Sequence, residues 1–140
     1  MEINSITNGV VIDHIRAGFG LKVLEYLNID TERGSVALIM NVVSNKYGRK
    51  DLIKLENVES VDVDVLGLID YKATVIYIKD GGIVKKIKLS LPEKVTNVFL
   101  CKNPRCVTSV EAVPHVFNLM DTSGSYSCEF CNSIVKINER

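Results

Sequence analysis

All four cysteines of this 140-residue chain lie in its last third, at Cys101, Cys106, Cys128 and Cys131. They form a C-x4-C pair and a C-x2-C pair, separated by 21 residues. Two close pairs at such a distance can place four thiolates around one tetrahedral zinc ion. Four sulfur ligands leave no coordination position for water or a substrate. The pattern therefore predicts one structural zinc per chain rather than a catalytic one.

Two disulfides are the alternative arrangement of four cysteines. The first five residues, Met1 to Ser5, have neither a basic start nor a long apolar run, so we expect no signal peptide and a reducing, cytoplasmic location. A C-x2-C pair is more typical of metal binding or redox chemistry, and a thioredoxin-type redox site has one such pair beside a βαβ unit. Zinc is therefore the preferred interpretation.

Charge and hydropathy argue against two broad classes of function. The chain has 17 basic and 17 acidic residues and a formal net charge of zero, whereas a general nucleic-acid binder needs an excess of Lys and Arg. Hydrophobic residues make up 46% of the chain, enough for a core. No apolar run approaches the roughly 20 residues of a transmembrane helix. We expect a protein that binds neither nucleic acid nor membrane.

The composition changes near Pro92, which would interrupt strand or helix pairing. Regular apolar periodicity without cysteine precedes it, and short strand-like pieces, turns and all four cysteines follow it. We therefore predict two domains, residues 1–92 and 93–140. A domain as small as the second seldom folds by burial alone, whereas structural zinc contributes on the order of 10–16 kcal/mol in peptides. The metal is its expected main support.

The first domain shows strand and helix patterns in the order β-α-β-β-α-β, followed by one more strand. Predicted strands cover 10–15, 35–43, 50–56, 73–78 and 83–89, and predicted helices cover 21–27 and 61–69. Largely antiparallel pairing with both helices on one face gives a ferredoxin-like α+β sandwich. The second domain is predicted to be small, all-β and zinc-ribbon-like. One face of the first sheet would remain free for a ligand or partner.

Charged side chains interrupt the apolar strands of the first domain. They include Asp13, His14, Lys54 and Lys86. Each one could be an ordinary solvated sheet position. Together, two or three cations and an imidazole could surround one anionic ligand, as a phosphate requires. Because no Gly-rich phosphate loop of Walker or Rossmann form is present, the residues alone indicate no more than a possible anion site.

Three segments carry a resemblance to a known family: Gly9 to Ile15, Gly48 to Asn57, and Leu91-Pro92-Glu93 followed by Asn97-Val98. Together with the cysteine pairs they resemble the regulatory chain of aspartate carbamoyltransferase over essentially the whole length. The resemblance implies a non-catalytic subunit that controls pyrimidine biosynthesis. Its N-terminal domain would bind nucleotide effectors of the CTP, ATP or UTP class and would dimerise with a second copy. Its zinc domain would dock on the catalytic chain, so that the dimers bridge catalytic trimers.

The resemblance also implies which residues hold the nucleotide. Asp13 and Lys54 match positions at the ribose and base edge, His14 and Lys86 match positions near the phosphates, and Lys50 matches a basic position at the phosphate end. The matched apolar lining consists of Ile6, Val11, Leu52, Ile78 and Ile83. The four cysteines match the zinc ligands, and Asn103 matches a residue at the catalytic-chain contact.

Two positions depart from the better-known family members. Ile76 stands where they have a polar amide, and Gly81 stands where they have a tyrosine. The first change removes a side-chain hydrogen bond near the nucleotide, and the second removes a ring. The resemblance thus predicts the location of the site and not its nucleotide preference.

Two other functions are open to this sequence. A zinc-ribbon nucleic-acid-binding or transcription accessory protein is the main alternative, but the segment after Pro92 holds five basic and five acidic residues and no basic stripe. An enzyme is less favoured. The two histidines, His14 and His115, lie in different predicted domains, and no cysteine is left over as a nucleophile beside them.

Overall fold

The computed structural model describes residues 6–29, 34–45 and 48–137. The chain divides into two compact units, Met1–Ser90 and Leu91–Arg140. The roles and boundaries assigned above to residues 1–92 and 93–140 stay predictions. Met1 to Ser5, on which the signal-peptide expectation rests, lie outside the described residues.

Over its described residues, the first unit contains a five-stranded sheet and two helices. Its sheet has the strand order β2-β3-β1-β4-β5, and every neighbouring pair is antiparallel. The predicted ferredoxin-like order, with one added strand, is confirmed. The elements are β1 (Gly9–Arg16), α1 (Gly20–Leu27), β2 (Val36–Ser44), β3 (Gly48–Glu56), α2 (Val63–Ile69), β4 (Thr74–Lys79) and β5 (Gly82–Lys88).

The core of this unit lies between the helices and one face of the sheet. Alternate strand residues, among them Ile12, Ile53 and Val75, are fully buried and cluster with Val23 of α1 and Leu66 of α2. Because successive side chains of a strand point to opposite faces, the residues between them must lie on the other face. That second face carries most of the residues that the resemblance assigns to the nucleotide.

A buried carboxylate organises one end of the sheet. Asp51 of β3 is fully buried, and its carboxylate accepts hydrogen bonds from the backbone N–H groups of Gly18 at 2.9 Å, Gly20 at 2.8 Å and Asn41 at 2.8 Å. A Cβ on Gly20 would come within 2.9 Å of this carboxylate, so the close approach requires glycine. Asp51 thereby joins β3 to the start of α1 and to the irregular part of β2.

The second unit is a four-stranded antiparallel sheet with one short helix among its described residues. Its elements are β6 (Lys94–Thr96), α3 (Val107–Val110), β7 (Val116–Leu119), β8 (Ser125–Cys128) and β9 (Ile134–Lys136), and the strands follow one another in sequence order. Phe117 and Tyr126 are fully buried, and both rings pack on Phe99, with centroids 5.5 Å and 5.4 Å away. The Tyr126 hydroxyl donates to the Pro92 carbonyl at 2.6 Å. The predicted α+β class with a small zinc-ribbon-like domain is confirmed, and the second unit, predicted to be all-β, also contains the short helix α3.

Within the described residues, no helix has the length and apolar character needed to cross a membrane.

Candidate metal centre and nucleotide face

The four cysteine sulfurs of the second unit converge on one point. All four lie within 4.8 Å of one another, and the closest described pairs are Cys101 with Cys131 at 3.6 Å and Cys106 with Cys128 at 3.7 Å. A disulfide needs an S–S distance of about 2.05 Å, so the cysteines are unpaired thiols. Sulfurs at the corners of a tetrahedron around zinc, each about 2.3 Å from the metal, are about 3.8 Å apart. The donor set therefore fits one zinc ion.

Two turns present these sulfurs. Cys101 and Cys106 bracket the loop before α3, in which the Cys106 N–H donates to the Asn103 carbonyl at 3.0 Å. Cys128 ends β8, and the N–H of Asn132, at φ 64°, donates back to its carbonyl at 2.9 Å in the turn that contains Cys131. Each pair thus comes from its own tight turn. The scaffold is the sheet between the turns.

Two of the four sulfurs lie within hydrogen-bond distance of neighbouring hydroxyl groups. The Thr108 hydroxyl donates to the Cys106 sulfur at 3.1 Å, and the Ser133 hydroxyl lies 3.1 Å from the Cys131 sulfur. Hydrogen bonds from the side chain and backbone of Ser133 lower the pKa of the Cys131 thiol to about 6, whereas burial raises the pKa of Cys101 to about 11. The thiolate is the metal-binding form, and a bound dication deprotonates a coordinating thiol outright.

The free face of the first sheet brings three of the predicted nucleotide residues into one cross-strand row. Val11 of β1 pairs with Lys54 of β3 and with Ile76 of β4, which in turn pairs with Lys86 of β5. Residues directly opposite each other on neighbouring strands share a face. Three strand spacings separate the backbones of Lys54 and Lys86 by roughly 14 Å. Their long side chains can therefore flank one elongated anion.

An ion pair lies at one end of this face. The Lys50 ammonium contacts the Asp13 carboxylate at 2.8 Å, and both side chains are 19% exposed. A bulge places Asp13 and His14 opposite the single residue Leu52, with His14 at φ 58° and its N–H donating to Asp13 at 2.7 Å. Burial raises the pKa of Asp13, but the hydrogen bonds from Lys50 and His14 lower it more, so the pKa lies below its ordinary value.

The predicted apolar lining is spread along the same face. Ile78 of β4 pairs with Ile83 of β5, which is 65% exposed, and on its other side Ile78 pairs with Gly9. Ile6 is buried and lies beside Gly9. A Cβ atom added to Gly9 would be 3.1 Å from the Ile6 side chain. Val11 is also buried. The predicted residues therefore run from an apolar end to the charged end at Lys50.

A cavity of about 750 Å³ lies elsewhere, between the end of β3, the start of β1 and the strands β4 and β5. Tyr77 and Lys85, which line it, are paired across β4 and β5, and Tyr77 packs against the helix-side core. Of the predicted nucleotide residues, Ile78 alone lines this cavity among the described positions. Most of the candidate nucleotide residues therefore lie outside this cavity, on the sheet face opposite the helices.

Two buried carboxylates with structural roles were not predicted from the sequence. Besides Asp51, Asp70 is 3% exposed and accepts hydrogen bonds from the N–H groups of Arg16 at 2.6 Å and Lys72 at 3.2 Å. Asp51, Ile53 and Leu55 are alternate residues of β3 and so point to the same face of the sheet. This alternation could have indicated that Asp51 points into the core. Asp70 has no comparable signal, because it lies at the C-terminal end of α2 and not in a strand.

Comparisons with known proteins assign both units to one family. The family model "Aspartate carbamoyltransferase regulatory chain, allosteric domain" matches residues 1–90, and the corresponding "metal binding domain" model matches residues 93–140. A curated relative from Clostridium tetani is 50% identical over 142 residues, covering 99% of this chain and 99% of the relative. Relatives from Clostridium acetobutylicum (51% identical, covering 97% and 94%) and Bifidobacterium longum (45%, covering 98% and 100%) are also similar. All three are named aspartate carbamoyltransferase regulatory chain.

Proposed function

Since this chain belongs to the family of aspartate carbamoyltransferase regulatory chains, we propose that it couples nucleotide binding in its first unit to a catalytic chain docked on its second. A regulatory chain of this family is a non-catalytic subunit. The observation that supports the proposal is that the two units present different kinds of site. One presents an open sheet face with cations, and the other presents a closed four-cysteine cluster.

The second unit is the proposed docking module. Its proposed zinc ligands are Cys101, Cys106, Cys128 and Cys131, and the ion supplies a rigid structural centre that ties the two turns together. The unit also exposes large apolar side chains, which are typical of a protein interface. They are Val98, Leu100, Val110, Met120, Phe130 and Ile134. A catalytic chain of aspartate carbamoyltransferase is the proposed partner of this surface.

The free sheet face of the first unit is the proposed effector site. A nucleoside triphosphate would lie across this face between Lys54 and Lys86. Its ribose and base edge would lie toward Asp13 and Lys54, and its phosphates toward Lys86, His14 and Lys50. Ile76, in the middle of the cross-strand row, offers no side-chain hydrogen bond. Base discrimination would therefore rest on Lys54, main-chain groups and shape, and CTP, ATP and UTP are all candidates.

Self-association of the first unit is proposed to use the β2 edge of its sheet. The other edge, β5, carries Lys85, Lys86 and Lys88, and such lysines discourage pairing between edge strands. Both edge strands expose apolar side chains, Ile83 and Val84 on β5 and Met40 and Val43 on β2, but β2 carries no charged residue. A dimer formed in this way would carry two docking modules and could bridge two catalytic trimers. We expect the assembly in the cytoplasm, where reducing conditions keep the four thiols available for zinc.

Reconstitution tests this function directly. The zinc-loaded chain is mixed with catalytic trimers of aspartate carbamoyltransferase, and sedimentation velocity measures assembly. Activity is then compared with and without CTP, ATP and UTP. We expect a larger complex whose activity responds to at least one nucleotide. Failure to assemble contradicts the docking role, whereas assembly without any nucleotide response contradicts the effector role alone.

A further inference from the structure

One zinc-site cysteine is anchored through its backbone by a side chain from a distant segment. The Cys101 N–H donates to Nδ1 of His115 at 2.9 Å. His115 lies just before β7 and is partly buried. Because its Nδ1 accepts this hydrogen bond, the ring proton of the neutral imidazole must be on Nε2. The ring therefore has a defined orientation against the metal loop.

Two further hydrogen bonds hold His115 itself in place. Its N–H donates to the Asn97 side-chain oxygen at 2.9 Å, and the Asn97 N–H donates to the His115 carbonyl at 2.7 Å. Asn97 has a left-handed backbone, at φ 59°. Three hydrogen bonds thus connect His115 with residues 97–101, a stretch that belongs to no helix or strand.

The backbone N–H groups of the two middle cysteines, Cys106 and Cys128, have a different kind of acceptor. The Cys106 N–H donates to the Asn103 carbonyl at 3.0 Å, and the Cys128 N–H donates to the Ser133 carbonyl at 2.8 Å. Both acceptors are main-chain groups in the cysteines' own turns. Such bonds survive most side-chain substitutions, whereas the anchor of Cys101 depends on the identity of residue 115.

We propose that His115 is a positioning residue for the zinc site, which holds the Cys101 backbone so that its sulfur stays at the metal position. Without this bond, the irregular segment 97–101 is free to carry Cys101 away from the other three sulfurs. Loss of an outer partner typically lowers metal affinity by about 10- to 100-fold. We expect the effect mainly as faster zinc release.

The test compares His115→Asn, His115→Gln and His115→Ala in the full zinc-loaded chain. The Asn oxygen can take the place of Nδ1, whereas the Gln oxygen extends one methylene too far and Ala has no acceptor. Zinc release to an excess of a chromogenic chelator is followed by absorbance. We expect His115→Asn to release zinc close to the wild-type rate, and His115→Gln and His115→Ala to release it roughly tenfold faster. With Co²⁺ in place of zinc, the ligand-field bands should shift in the Gln and Ala variants and not in the Asn variant.

Tyr126→Phe separates this effect from a general loss of stability. It removes the hydroxyl that donates to Pro92 and keeps the ring that packs on Phe99. We expect a lower melting temperature and a wild-type rate of zinc release. Equal release rates in the Asn and Gln variants would overturn the proposal, as would Tyr126→Phe releasing zinc as fast as His115→Ala. The Asn–Gln contrast decides the matter even if His115→Ala does not fold.

Discussion

The buried residues of the two units are of different kinds. In the described part of the first unit, ten buried hydrophobic residues form one cluster between sheet and helices, and the candidate ligand face lies on the other side of the sheet. In the second, the described buried apolar residues are Val95, Phe117 and Tyr126, together with Cys101, Cys106 and Cys128. Half of that interior consists of candidate zinc ligands. Ligand-face substitutions should therefore leave the first unit folded, whereas loss of the metal should unfold the second.

The largest effect is expected from Cys106→Ser. Removing one thiolate should abolish stable zinc binding and unfold the second unit, because structural zinc supplies on the order of 10 kcal/mol in comparable sites. The first unit should stay folded. Metal analysis and amide NMR measure both outcomes. As a control, Lys94→Ala removes an exposed ion pair with Glu129 and should cost less than about 1 kcal/mol. A folded, zinc-loaded Cys106→Ser chain would contradict the contrast between the units.

The next effect in size concerns Asp51→Ala. This change leaves three buried or partly buried N–H groups without their acceptor, which should cost roughly 3 kcal/mol or more. Urea unfolding of the first unit measures the loss, and zinc content should not change. An unaffected urea midpoint would show that burial alone holds this unit together.

Lys54→Ala and Lys86→Ala test the separation of ligand face and core. If these side chains contact a bound triphosphate, each change should weaken binding by roughly 1.5–3 kcal/mol, or about 10- to 150-fold, without changing stability. Calorimetry with ATP and CTP measures the affinity. Lys85→Ala is the matched control, because Lys85 pairs with Tyr77 and so lies on the opposite face. Equal effects of Lys85→Ala and Lys86→Ala would refute the assignment of the face.

The smallest effect is expected at the ion pair between Asp13 and Lys50. The pKa of Asp13 is below its ordinary value in the folded chain, so its ionised form stabilises the fold above the pKa of the unfolded chain. That contribution is lost as the pH falls through the folded pKa. Asp13→Asn should therefore reduce the acid sensitivity of the first unit by less than about 1 kcal/mol. Urea midpoints measured from about pH 6 down to about pH 3 test this. If the stability of Asp13→Asn fell more steeply with decreasing pH than that of the wild type, the predicted direction of the effect would be wrong.

The strands and helices were largely predictable, because burial on one face imposes a periodicity on the chain. The strand predicted over 10–15 is β1, Gly9–Arg16, and the helix predicted over 21–27 is α1, Gly20–Leu27. The second helix was predicted from Val61 but begins at Val63. Its N-cap, Asp62, accepts hydrogen bonds from the N–H groups of Asp64 and Val65. Here a capping side chain, and not the apolar stripe, decides where the helix starts.

The sequence by itself determined the four-cysteine cluster, the order of the elements and the alternation that separates core from free face. Each of these depends on residue type at short, regular spacing. Only the tertiary structure decided that Lys54 and Lys86 share one row, that Asp51 binds N–H groups from two other segments, and that His115 anchors Cys101. The physical reason is that these contacts depend on strand register or on backbone N–H groups. Every residue except proline carries such a group, so the partner leaves no mark in the sequence.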